Sequence, residues 1–210
     1  MSNEVKTKAK VEMDPKYIIK LTVTLFVTCV IVAGLLGMVN QVTLPNITAA
    51  NKAKTEAAMQ QVVADPEGSS FSDALEITAE MNDAAASAGA KVTEAYEVQV
   101  GGAPAGYALK IVASGSQGNI EMMVGVDAEG VITGVSIVKN SETAGIGSKV
   151  MNNEPTAAGV GVLDQFQGKS AADGALSVGT NVDAISGATV SSKGVTTGVN
   201  AALAVAGVMG

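Results

Sequence analysis

Residues 120–138 read Ile120-Glu121-Met122-Met123-Val124-Gly125-Val126, then Asp127-Ala128-Glu129-Gly130, then Val131-Ile132-Thr133-Gly134-Val135-Ser136-Ile137-Val138. Two apolar runs joined by a short Asp/Gly-containing segment predict a β-hairpin, with Gly130 supplying the positive φ that the turn requires. Upstream, Val92-Thr93-Glu94-Ala95-Tyr96-Glu97-Val98 alternates apolar and polar residues, as a half-buried strand does. Tyr107 to Ala113 reads as another strand. Before the strands, Asn51 to Ala64 has the composition of a helix, ended by Asp65-Pro66-Glu67-Gly68, and a second Ala-rich helix is predicted near Ser72 to Ala86. After them, Val195, Val199, Ala202, Leu203 and Ala206 recur at three- and four-residue spacing, which predicts an amphipathic helix capped by a Ser or Thr within 186–192. Strands in the middle with helices at the flanks define an α+β fold with antiparallel strands.

Further upstream, Leu21 to Val39 is a 19-residue run without a formal charge. As a helix it spans roughly 28 Å, close to the bilayer's apolar thickness of about 30 Å. A cleaved signal peptide has an apolar core of about 7–15 residues followed by a small-x-small site, so this run reads as an uncleaved transmembrane helix. Cys29 lies in mid-run and reads as a small apolar side chain. Pro45 marks the expected exit from the anchor. Lys6, Lys8, Lys10, Lys16 and Lys20 precede the run, and the next Lys is Lys52. The positive-inside rule places residues 1–20 in the cytoplasm and residues 40–210 on the other side of the cell membrane. Ala33 and Gly37, four apart, would admit a neighbouring helix. The anchor has no central acid or base, so it forms no ion path alone.

Composition narrows the chemistry. The chain has no His and no Arg, and Cys29 is its one cysteine. Imidazole-based nucleophilic catalysis and His-ligated metal are excluded, and a single thiol builds neither an iron–sulfur cluster nor an internal disulfide. Residues 40–210 hold 8 Lys against 17 acids, a formal charge of −9. That balance, with 3% aromatic content, argues against a nucleic-acid partner. Any redox chemistry belongs to a group the protein carries.

The place to carry it is Asp183-Ala184-Ile185-Ser186-Gly187-Ala188-Thr189. Thr189 stands at or just before the start of the last helix, where free N–H groups and the helix dipole favour a phosphate. Gly187 and Ala188 leave room for it, and Lys193, one turn on, adds positive charge. On spacing alone an ordinary Ser/Thr-rich cap is the better explanation of the segment. In Glu142-Thr143-Ala144-Gly145-Ile146-Gly147, two glycines spaced by two allow backbone to approach a flat ligand, although a glycine loop ending a strand is the commoner reading.

Asp183-x-x-Ser186-Gly187-Ala188-Thr189 resembles the flavinylation motif of the FMN-binding domain shared by the G subunit of the Rnf complex and the C subunit of the sodium-pumping NADH:quinone reductase. Gly106-Tyr107, Gly118-Asn119-Ile120, Val124-Gly125-Val126-Asp127, Gly130-x-Ile132 and Glu142-Thr143-Ala144-Gly145-Ile146-Gly147 follow the family's order, with Ala144 where the family usually carries Pro. The resemblance covers roughly 92–205, and the chain's length suits the Rnf member of the pair better. It implies an FMN joined through its phosphate to Thr189 by a dedicated flavin transferase that recognises Asp183, with Ser186, Gly187 and Ala188 shaping the phosphate loop. Glu142, Thr143, Gly145 and Gly147 would line the flavin. The implied organisation is a cytoplasmic N-terminus (1–20), a transmembrane helix (21–39), a helical linker opening the outer domain (40–90) and an extracytoplasmic FMN-binding domain (91–210). Such a protein relays electrons in an Rnf-type ferredoxin:NAD oxidoreductase that moves Na+ or H+. Its partners would be the membrane lipid and the other membrane and peripheral subunits, which must hold the ion path, the nicotinamide site and the iron–sulfur sites. Alternatives are the C subunit of the quinone reductase, an orphan extracytoplasmic flavin reductase, or an anchored structural or binding domain without cofactor.

Overall fold

The computed structural model describes residues 14–210, so Lys6, Lys8 and Lys10 of the orientation argument lie outside the described residues. The chain divides into two units, one reaching to Asn51 and the other Lys52–Gly210. The helix α1, Pro15–Gln61, supplies the first unit and the opening residues of the second. In the first unit the large apolar side chains are exposed, including Leu25, Phe26, Leu35 and Leu36. A helix this long and apolar fits a single-pass membrane anchor, where lipid covers that surface.

The helix expected from Asn51 to Ala64 is present as far as Gln61 but is not separate from the anchor, because α1 runs unbroken through Pro45 and Asn51. Proline removes one i→i−4 bond and usually breaks a helix. Here the helix continues through it, although Val42-Thr43 and Asn46-Ile47-Thr48 beside it are not strong helix formers.

The second unit is built on a five-stranded antiparallel meander: β1 Ser69–Phe71, β2 Ala90–Val100, β3 Ala103–Ser114, β4 Asn119–Asp127 and β5 Ile132–Lys139, in that spatial order. The β4–β5 hairpin forms as expected. The Asp127 carboxylate accepts from Glu129 N at 3.0 Å and Val131 N at 2.8 Å, and Gly130 takes φ +79°. The predicted strands are present, three of them longer than expected and β5 of the expected length but shifted by one residue, while the short β1 carries too few residues to show an alternation.

Period-two alternation sends alternate residues to two cores. On one face Leu109, Ile111, Ala113, Ile120, Met122, Val124 and Val126 pack against α4, Thr189–Met209, which also packs on α2, Ala79–Ser87. Twelve of α4's 21 residues are buried, so the helix is apolar around most of its circumference rather than along one stripe. Each fully buried valine there contributes roughly 1.5–3 kcal/mol of burial energy. On the other face Val98, Ala108 and Met123 meet Ala58, Met59, Val62 and Val63. Thr55, Ala58, Met59 and Val62 are the buried positions at the end of α1 and its exit, the i, i+3, i+4, i+7 stripe of a one-sided helix.

The expected helix over Ser72–Ala86 is correct only from Ala79. Residues 72–78 are not helical because their backbone hydrogen-bonds to β2, Ser72 N to Glu97 O at 3.0 Å and Leu75 N to Ala95 O at 2.8 Å. Thr78 then caps α2 by accepting from Met81 N at 3.2 Å.

Under the end of α1 lies a part-buried polar group. Lys110 Nζ donates to Glu94 Oε1 at 2.8 Å and to Thr55 Oγ1 at 3.4 Å, and Tyr96 OH donates to Glu94 Oε2 at 2.7 Å. Burial alone would raise the Glu94 carboxyl, but the hydrogen bonds from Lys110 and Tyr96 and the lysine's charge outweigh it, so its pKa is lowered. Burial, the hydrogen bond to Glu94 and the charges of Glu94 and Glu56 push the Tyr96 phenol up to about 12.

Candidate functional site

The segment 183–189 is held from its first residue. The Gln165 amide accepts from Asp183 N at 2.8 Å and donates to Asp183 O at 2.9 Å, leaving the Asp183 carboxylate exposed. Ile185 and Ala188 are buried and anchor the loop, with Ala188 N donating to Ile185 O at 2.9 Å. Gly187 between them takes φ +81°, a left-handed conformation costing other L-residues about 1–2 kcal/mol. Thr189 then opens α4.

The expected Ser or Thr cap is absent. Ala188 occupies the N-cap and makes no side-chain hydrogen bond. The first intrahelical bond comes from Ser192 N to Ala188 O at 3.0 Å, and the N–H groups of Thr189, Val190 and Ser191 find no partner among the described residues. The exposed Thr189 hydroxyl likewise accepts from and donates to none of them. Three unsatisfied N–H groups at the positive end of a 21-residue helix make an anion cradle.

The facing wall is the loop that follows β5. Thr143 O accepts from Ile146 N at 3.2 Å and Ser148 N at 3.1 Å, and Gly145 N donates to Ser148 Oγ at 2.8 Å, which folds the loop onto the short helix α3, Gly147–Met151. Between the walls lies an open pocket of about 160 Å³, lined by Ser116, Glu142, Thr143, Ile146, Gly147 and Gly187 to Ser191. Glu142, Thr143, Gly147, Gly187, Ala188 and Thr189 are therefore brought together. Ser186, Gly145, the exposed Lys193 and Asp183 lie outside the lining. Ser116, Ile146, Val190 and Ser191 were missed. None carried a local signal for the pocket; Ser191 falls within the 186–192 range expected to hold a cap, but its partner is Glu142.

A family model described as the FMN-binding domain matches residues 115–204. The chain is 36% identical to the G subunit of the Na(+)-translocating ferredoxin:NAD(+) oxidoreductase complex of Acetobacterium woodii, over 96% of this chain and 97% of the relative. The chain belongs to the family of Rnf complex G subunits. A second member, the G subunit of the ion-translocating oxidoreductase complex of Methanosarcina acetivorans, is 30% identical over 90% of this chain and 95% of its own length. The G subunit of the proton-translocating ferredoxin:NAD(+) oxidoreductase complex of Clostridium ljungdahlii is 32% identical over 51% of this chain.

The FMN-binding match contains both walls of the pocket, so the family's flavin domain and the anion cradle coincide. The residues suit an FMN: the N–H cradle matches its phosphate, and Ile146 and Val190, about half exposed at the edge, offer apolar surface to a ring. Among the described residues no cluster of His, Cys, Asp or Glu offers a metal site.

Proposed function

We propose that this chain is the electron-carrying member of an Rnf-type complex, with FMN joined as a phosphoester to Thr189. One observation supports it above the others: the Thr189 hydroxyl is free and exposed at a helix start whose three N–H groups are unsatisfied, inside the FMN-binding domain. The ester forms when Thr189 Oγ1 bonds to phosphorus of an activated flavin donor. The leaving group departs from that phosphorus, and the hydroxyl proton passes to a base of the transferase. The first-turn N–H groups stabilise the phosphate charge, with Gly187 and Ala188 keeping the approach clear and Ser186 shaping the loop. Lys193, one turn on, adds positive field. Thr143, Gly145 and Gly147 shape the facing wall, and Asp183 is a recognition handle for the transferase.

When bound, FMN supplies one- and two-electron transfer; the chain supplies attachment, orientation and surroundings. Covalent attachment answers the repulsion expected between a −9 domain and an anionic cofactor, because a tether holds the ring at an effective concentration of mM order. The domain lies on the extracytoplasmic side, anchored in lipid by α1, beside the other subunits of a complex that moves Na+ or H+. The test is in-gel ultraviolet fluorescence and intact mass of the full chain co-expressed with a flavin transferase. One FMN-sized increment that survives denaturation and disappears in Thr189→Val supports the reading. Flavin retained at full occupancy in Thr189→Val refutes the attachment site.

A further inference from the structure

Glu142 lines the pocket, yet its carboxylate is already engaged. Ser191 Oγ donates to Oε2, while Ser116 N at 2.8 Å and Gln117 N at 3.2 Å donate to Oε1. The three donors come from two other chain segments, the β3–β4 turn and the first turn of α4. Asn140 Oδ1 accepts from Glu142 N at 3.1 Å and steadies the residue from behind. Two glycines make room for the carboxylate. A Cβ at Gly115 would collide with Oε1, and one at Gly147 would collide with Oε2 and stand 2.8 Å from Ser191 Oγ.

We propose that Glu142 is a positioning residue, a carboxylate strap that assembles the pocket and does not itself bind the ligand. A free carboxylate beside a phosphate would repel it. Here both oxygens already accept from protein donors, so neither is open to a ligand's donors, although the charge itself remains. One arm, through Ser191, fixes the rotation of the first turn of α4 and so the direction of the Thr189 hydroxyl and the free N–H groups. The other arm pins the Ser116–Gln117 backbone and sets the Ser116 hydroxyl, which makes no hydrogen bond among the described residues, on the pocket wall. The strap rests on the flavin reading of the pocket for its consequence, but not for its geometry. Its consequence is speed of loading: a displacement of about 1 Å in a reacting group can cost on the order of 100-fold in rate.

The test uses the full chain in detergent. In the flavin-free protein, amide hydrogen exchange of Ser116 and Gln117 is expected to accelerate at least tenfold in Glu142→Ala, with residues of β3 and β4 unchanged. With transferase and flavin donor, Glu142→Ala and Ser191→Ala are expected to load at least tenfold more slowly while ending at the same mass increment on Thr189. Glu142→Gln keeps the Oε1 acceptor and can donate to Ser191, so it should load within threefold of the native protein. Ser191→Ala removes only one hydroxyl and guards against misfolding as the explanation. Unchanged exchange at Ser116 and Gln117 overturns the strap. So does loading of Glu142→Ala and Ser191→Ala at the native rate. If Thr189→Val retains the flavin, the attachment reading fails, and the exchange result still decides the strap.

Discussion

Gly125→Ala tests the seat of α1's end on the sheet. Gly125 pairs with Gly134 across β4 and β5, and the chain leaving α1 crosses this pair. A Cβ at Gly125 would overlap Val62 O and Thr133 Oγ1 and stand 2.9 Å from Val62 C, so most of what it meets is backbone that cannot rotate away. It would also break the hydrogen bond that Thr133 Oγ1 donates to Val62 O. Overpacking of this kind costs about 1–3 kcal/mol, and the lost bond adds about 1 kcal/mol. A combined loss near 3 kcal/mol lowers Tm by roughly 6–12 °C in a domain of this size. Gly134→Ala is the internal control, since its Cβ would stand 3.0 Å from Val62 Cα and 3.2 Å from Gln61 O. It should lose about 1 kcal/mol, the low end of the same overpacking range. The assay is thermal unfolding of the full chain in detergent, followed by near-ultraviolet circular dichroism. A Gly125→Ala protein melting within about 2 °C of the native one, at the bottom of what about 1 kcal/mol would shift, refutes the close-approach argument. So does a Gly134→Ala protein melting lower than Gly125→Ala.

Gly187→Ala keeps the same contacts but forces φ +81° on a residue with a Cβ, so denaturant unfolding should show a loss of about 1–2 kcal/mol. Stability should also depend on pH at both ends. The Glu94 pKa is lowered in the fold, so its contribution is complete above the ordinary value of 4.5 and is lost as acid protonates it. The Tyr96 phenol is raised to about 12, so its contribution is complete below pH 10 and disappears as pH climbs towards 12. Tyr96→Phe should therefore flatten the alkaline limb in a pH series of melts, and an unaltered alkaline limb would contradict the Tyr96–Glu94 bond. Lys193→Ala should slow flavin loading by less than about fivefold, because an exposed charge is worth about 0–1 kcal/mol. A loss of an order of magnitude would put the ammonium in direct contact with the phosphate.

Legibility followed the range of the interactions. The β4–β5 hairpin was readable because alternation, Asp127 and Gly130 all lie within a few residues of one another. The continuity of the 47-residue α1 past Pro45 was not, since proline is a local helix breaker and its immediate neighbours do not override that reading. Residues 72–78 look helical by composition, and only the proximity of β2 shows that their N–H groups bond elsewhere. At the site, Thr189 and Glu142 were singled out by the resemblance of their segments to the FMN-binding family, not by spacing, which favoured an ordinary cap and an ordinary glycine loop. Ser191 and Ser116 were not, because each is defined by Glu142, which lies 49 residues before the first and 26 after the second.

Local composition was enough to specify an apolar anchor, antiparallel strands and a last helix beginning near Thr189, because hydrophobic periodicity and turn chemistry act over a handful of residues. The missing His and the single Cys also confined any redox chemistry to a carried group. Packing decided the rest. It made Ala188 the helix cap, leaving three N–H groups open, and it seated Val62 over Gly125. It also engaged the Glu142 carboxylate between α4 and the β3–β4 turn. These features depend on sheet register and on how closely backbones approach where glycine removes a Cβ, and neither quantity exists until residues distant in the chain have met.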